Sequence, residues 1–115
     1  MTRVIFVDID GTICHYNGEN IKSAGVNAID YTTAIPYYDR IEKINALYDK
    51  GNTIVYWTSR GSRSGLNWFQ LTLYQLQQWG VKFNELRLGK PHYDIFIDDK
   101  NINSDDYFLH TNECV

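Results

Sequence analysis

The residues able to do chemistry lie in four short stretches: Asp8-Ile9-Asp10-Gly11-Thr12, Thr58-Ser59-Arg60, Gly89-Lys90-Pro91 and Asp98-Asp99. Asp8 and Asp10 end an apolar run, and their i, i+2 spacing points both carboxylates the same way from an extended chain, where they repel. A strand-ending turn needs only one Asp or Gly. If the four stretches meet at one edge of a sheet, four carboxylates crowd one pocket, and such a pocket calls for a cation. All-oxygen ligation favours Mg²⁺, a hard ion that keeps several waters and commonly partners phosphate. A carboxylate nucleophile, a hydroxyl, a lysine and a metal together suit phosphoryl transfer. The metal and Lys90 neutralise charge on the phosphoryl oxygens. An aspartate can attack phosphorus directly and form an aspartyl-phosphate.

The elements that must position these groups follow from periodicity. Val4–Val7 is a continuous apolar run, the mark of a strand buried on both faces of a parallel sheet. Residues 13–35, with Gly18 and Gly25, read as a long loop or a small hairpin. Pro36 suits a helix start. Ile41, Ile44, Leu47 and Tyr48 share one helical face, and Lys50-Gly51 marks its stop. Thr53–Trp57 is a second strand, followed by a turn over residues 59–65. Leu66, Phe69, Leu73 and Leu76 fall at helical spacing in a segment ending at Gly80. Residues 81–83 and 85–88 read as short strands, and Tyr93–Ile97 as a further clear strand. Ser104-Asp105-Asp106 caps a last short helix. Alternating strands and helices imply an α/β fold with a mainly parallel sheet. In such sheets ligands bind beyond the carboxyl ends of the strands, where all four stretches would gather.

In this order, DIDGT, VYWTSR, GKP and FIDD resemble the four motifs of the haloacid dehalogenase superfamily of phosphatases, over residues 4–99. The resemblance implies a Rossmann-like three-layer α/β sandwich with a helical turn and flap after Asp10. It makes Asp8 the nucleophile. Asp10 becomes the general acid toward the leaving group and the general base for the hydrolytic water, with its main-chain carbonyl on Mg²⁺. Thr58 then holds the phosphate, and Lys90 stabilises phosphate and nucleophile. Asp98 is implied as a direct metal ligand, and Asp99 as one acting directly or through water. Gly11, Thr58, Ser59, Arg60 and Lys90 form the expected substrate-facing set. Larger members carry a cap domain between motifs. Here residues 13–57 and 61–89 leave no room for one, so a single capless domain over residues 1–115 is expected, its open site covered by the flap or by a neighbouring subunit in a homo-oligomer. The stretch from WTSRGS to IDDK is also similar to short phosphatase-like proteins associated with bacterial surface-polysaccharide synthesis.

The bland readings stand beside these. Arg60 and Arg63 either meet the substrate's phosphate or sugar, or belong to a solvated loop. His15 either faces the site from the flap or is structural or exposed. Cys14, Trp57, Trp68, Phe69 and Trp79 read as packing. The chain has 115 residues, 43% hydrophobic and 22% charged, with a net charge of -3 and no block of like charge. A general affinity for nucleic acid is therefore not indicated. No apolar stretch approaches the roughly 20 residues that cross a bilayer, so no membrane partner is expected. No signal-peptide layout opens the chain, and Cys14 and Cys114 make no disulfide framework. A cytoplasmic enzyme with free thiols, acting on a small phosphorylated metabolite such as a sugar phosphate, fits these features. The alternatives are a phosphatase of nucleic-acid ends or phosphoproteins, and a non-catalytic phosphate-binding or receiver-like module. A receiver places its phosphorylated Asp after a middle strand, where this chain has Thr58.

Overall fold

The computed structural model describes residues 2–16, 20–23 and 26–110. Gly18, Gly25 and Cys114 lie outside them. Three strands form a parallel sheet in the order β1 (Val4–Val7), β6 (Thr53–Trp57), β7 (Glu85–Arg87). Val4 pairs in register with Thr53, and Val55 with Glu85. Parallel neighbours need a crossover, and helices supply both. Helix α1 (Tyr38–Asp49) lies between β1 and β6, and α2 (Phe69–Gln78) between β6 and β7. A short α3 (Ser104–His110) closes the described chain. The architecture is α/β and Rossmann-like, a parallel sheet flanked by helices with no cap domain. Among the described residues no helix is long and apolar enough to cross a membrane.

The core forms where the apolar periodicity places it. Ile41, Ile44 and Leu47 of α1 are buried with Val7, Ile54, Tyr56, Leu76 and Val81. At about 25 cal/mol per Å² of apolar surface removed from water, side chains of this size each contribute about 1.5–3 kcal/mol. Helix α1 begins at Tyr38 rather than at Pro36, because Pro36 pairs with Cys14 in a two-residue ladder, β2 (Cys14–His15) against β5 (Ile35–Pro36). The segment between them is the small hairpin expected, β3 (Asn20–Ser23) antiparallel to β4 (Val26–Ile29). A 3-10 turn follows at Tyr31–Thr33, capped by the Asp30 side chain.

Five further expectations need correction. The strand Val4–Val7 is not buried on both faces, since Val4 and Phe6 are exposed. Helix α2 starts at Phe69 and buries Thr72, Gln75 and Leu76, while Phe69 is partly exposed. The inner face is polar because it meets a buried arginine, described below. Residues 81–83 form no strand. Nor do Tyr93–Ile97: they are exposed, Ile95 at 77% and Ile97 at 94%. Helix α3 is capped by Asn103, whose Oδ1 accepts the main-chain N–H groups of Asp105 and Asp106, and not by Ser104. The Ser104 hydroxyl instead donates to the Gly11 carbonyl, tying α3 to the turn after Asp10.

Candidate active site

The carboxyl ends of all three strands meet at one edge of the sheet. Asp8 follows β1, and Ile9 behind it is fully buried. That alternation puts Asp8 and Asp10 on the same side, away from the core. The chain then turns tightly: Gly11 has φ +80, Ile9 O accepts from Thr12 and Ile13, and Gly11 N–H donates to Cys14 O at 2.8 Å. Gly11 suits this position because φ is positive there.

Asp8 faces Lys90, with Nζ 3.5 Å from Oδ1. Burial raises the Asp8 pKa, and Asp10 adds to this; Lys90 and the Ile9 N–H oppose the rise without cancelling it. The position of Lys90 is fixed through main-chain bonds. Its N–H donates to Thr58 O at 3.1 Å, Thr58 N–H donates to Arg87 O at 3.0 Å, and the Ser62 hydroxyl donates to Lys90 O at 2.7 Å. The ammonium lies 5.4 Å from the Tyr93 ring centre and 5.9 Å from that of Trp57. Thr58 itself is buried, and its Oγ1 accepts the Arg60 N–H at 3.1 Å. Ser59, not Thr58, lines the cavity beside the two aspartates.

Arg60 is not a solvated loop residue, and it does not line the cavity. Its side chain is 0% exposed and grips Asp10 with two bonds, Nε to Oδ2 and Nη2 to Oδ1, each 2.8 Å. Nη1 donates to Thr72 Oγ1 at 3.1 Å and to Gln75 Oε1 at 2.6 Å, both on α2. The Tyr31 ring lies 4.7 Å from the guanidinium carbon. Burial works against the charge, but the bonds and opposite charge of Asp10 outweigh it, so the guanidinium is held more firmly protonated than usual. The Cys14 thiol donates to Asp10 Oδ1 at 3.3 Å, and burial, reinforced by Asp10, pushes its pKa well up. Cys14 is therefore an inert packing residue, as expected.

The turn after β6 brings further groups to the cavity. Ser59 O accepts from Ser62, and Gly61 O accepts from Gly65. Gly61, at φ +83, sits so close to Leu66 that a Cβ there would lie 2.2 Å from its carbonyl oxygen. The cavity, about 470 Å³, is lined by Asp8, Asp10 and Ser59, by Tyr16, Ile29 and Tyr31 of the flap, and by Arg63, Ser64 and His92. Tyr16 and Tyr31 meet edge to face at 5.7 Å, and Tyr31 meets Trp68 likewise at 5.2 Å. Burial, with the negative charge of Asp10, raises both tyrosines, Tyr31 to about 12, so both stay neutral at ordinary pH.

Tyr16 and Tyr31 carry no sequence signal for the site, since flap placement alone brings them there, and His92 carries none beyond following Gly89-Lys90-Pro91. His15 is exposed and stacks on Tyr37 at 5.2 Å, outside the cavity lining. Asp98 and Asp99 are exposed and do not line the cavity; Asp98 Oδ2 accepts from Lys100 N–H within its own turn. They are not brought to Asp8, because the strand that would carry them does not form. Among the described residues no group of three or more His, Cys, Asp or Glu side chains converges as a metal cage. Mg²⁺ nevertheless fits the Asp8 end of the cavity, because it binds through one or two carboxylates, substrate phosphate and its own waters.

No family model matches the chain, and no curated protein matches it. A crystal structure of a structural-genomics target from Vibrio cholerae is similar, at 25% identity and a TM-score of 0.76 over 97% of this chain and 90% of that one. That likeness covers nearly the whole of both chains and supports the α/β architecture; it carries no information on activity.

Proposed function

We propose that the protein is a Mg²⁺-dependent phosphomonoesterase that works through an aspartyl-phosphate on Asp8, acting on a small phosphorylated metabolite such as a sugar phosphate. The observation that carries this reading is the pairing of Asp8 with Lys90 at a strand end, beside a second aspartate anchored in place and a cavity of about 470 Å³. It agrees with the resemblance of the four sequence motifs to haloacid dehalogenase phosphatases.

In this mechanism an Asp8 oxygen attacks phosphorus, and the bond from phosphorus to the leaving oxygen breaks. That oxygen takes its proton from Asp10. Water then attacks the phosphorus of the aspartyl-phosphate and gives its proton to Asp10. The bond to Asp8 breaks, phosphate leaves, and both carboxyl groups return to their starting states. Lys90, beside the nucleophile, offsets charge on the phosphoryl oxygens. Asp10 enters the first step as the carboxylic acid: of its roughly four lone-pair positions the proton takes one, and the others still accept both Arg60 bonds. Asp8 and the Asp10 main-chain carbonyl would hold Mg²⁺, which supplies Lewis-acid charge neutralisation when bound. Asp98 and Asp99 would join them only through a rearrangement of residues 91–103. The apolar run Ile95–Ile97 is exposed, and so are Val4 and Phe6 of β1, whose outer edge has no strand partner among the described residues. Pairing of the two would satisfy that edge and remove part of this apolar surface from water.

Tyr16, Tyr31, Arg63 and His92 at the cavity suit a polar ring carrying a phosphate. The test is a phosphatase screen with Mg²⁺ across sugar phosphates, nucleotides and phosphopeptides. Release of phosphate from sugar phosphates by the wild type, lost in Asp8→Asn, is the expected result. No turnover of any member of the panel would refute the reading.

A further inference from the structure

The geometry points to Arg60 as the positioning residue that sets the Asp10 carboxylate, with Gln75 fixing Arg60 in turn. This inference rests on the phosphatase reading above. A fully buried guanidinium is costly unless every donor finds an acceptor. Here the acceptors come from two directions. Asp10 takes Nε and Nη2, while Thr72 and Gln75 on α2 take Nη1. The planar fork therefore fixes both the rotation and the distance of the Asp10 carboxylate, which a lysine cannot do. Gln75 has a second tie: its Nε2 donates to Tyr31 O at 2.8 Å, in the 3-10 turn of the flap. Tyr31 also covers the guanidinium and lines the cavity. The orientation of the acid-base group is thus coupled to the flap through one chain of bonds: Tyr31 carbonyl, Gln75 amide, Arg60 guanidinium, Asp10 carboxylate. Arg60 does not line the cavity, so it acts through Asp10 and not on substrate.

The experiment compares Arg60→Lys and Gln75→Met, each in the wild-type and Asp10→Asn backgrounds, with Mg²⁺ and, from the panel above, the sugar phosphate (an alkyl phosphate) that the wild type hydrolyses fastest. A misplaced acid-base group costs up to about 100-fold in rate. Arg60→Lys is expected to lower kcat about 10- to 100-fold with KM within about twofold, since ground-state binding is untouched. Gln75→Met is expected to lower kcat about 3- to 10-fold, and serves if Arg60→Lys does not fold. In the Asp10→Asn background each change is expected to cost less than about threefold more, because groups acting as a unit are not additive. Equal losses in both backgrounds, or a rise in KM in place of the fall in kcat, would overturn the positioning role. An inactive wild type would instead overturn the phosphatase reading, so the two failures are distinguishable.

Discussion

Replacing the nucleophile should abolish turnover and, at neutral pH, stabilise the fold. Asp8→Asn keeps size and removes the charge needed for attack, so turnover should fall by about 10³-fold or more. The stability effect follows from linkage. Burial raises the folded-state pKa of Asp8 above its ordinary 3.8. A carboxyl with a raised folded pKa contributes stability below the unfolded value and loses it as pH rises through the folded pKa. At neutral pH the native state therefore carries a penalty that asparagine lacks. The gain is small. The Asp8 side chain keeps 36% of its surface exposed, so solvent screens it, and the substitution deprives Lys90 of its partner. A gain below about 1 kcal/mol, or up to about 5 °C in Tm for a domain of this size, is expected. Thermal melts of both proteins without metal, at pH 7 and near pH 4, check it: the variant melts higher at pH 7, and the gap closes in acid. A gap of the same size at both pH values would refute the electrostatic reasoning. Wild-type turnover in the variant would refute the covalent mechanism.

Asp10→Asn sets an amide donor against the buried Arg60 guanidinium, so a loss of about 3 kcal/mol and a Tm lower by roughly 10 °C are expected in a melt. In single-turnover kinetics its first step should suffer less with an activated aryl phosphate than with an alkyl phosphate; equal losses would remove Asp10 as the general acid. Gly61→Ala would place a methyl 2.2 Å from the Leu66 carbonyl oxygen at φ +83, and chemical denaturation should report a loss of about 2 kcal/mol or more. Saturating Mg²⁺ should stabilise the wild type by about 1–3 kcal/mol, and EDTA should abolish turnover. Asp98→Ala should lose most of that Mg²⁺-dependent shift in Tm, whereas an equal shift in both proteins leaves Asp98 outside the metal site.

The parts of this molecule legible in its sequence are those whose signal is local. The apolar runs at Val4–Val7 and Thr53–Trp57 form parallel neighbours because each is bounded by turn residues and is too short for a helix. Ile41, Ile44 and Leu47 turn inward because their spacing is that of one helical face. Asp8 and Asp10 reach the same side of the chain because alternation along an extended backbone leaves no other choice. Arg60 was not legible, since an arginine in a Ser- and Gly-rich turn looks solvated. The signal lay elsewhere, in Thr72 and Gln75, polar residues on the face of α2 that apolar spacing alone would have turned outward. A buried guanidinium recruits such acceptors, and their burial overrides the apolar pattern of the helix.

The run Tyr93–Ile97 shows the opposite limit. Its composition is that of a buried strand, but composition names no partner, and a strand exists only when an edge accepts it. The edge is present: β1 is outermost in its sheet, with Val4 67% and Phe6 49% exposed. An unpaired apolar edge and an exposed apolar run in one chain are features that proteins ordinarily avoid. Burying Ile95 and Ile97 alone would contribute about 3–6 kcal/mol before ordering costs. Against it stands the repulsion of bringing Asp98 and Asp99 up to Asp8 and Asp10, which a divalent cation relieves. On the phosphatase reading proposed above, pairing of this run with β1 and binding of metal would be one coupled equilibrium. The Asp98→Ala melt reads it from the metal side. Amide exchange of residues 93–97 with and without Mg²⁺ reads it from the backbone: added metal should slow exchange there and at β1, and exchange unchanged by metal at both would break the coupling.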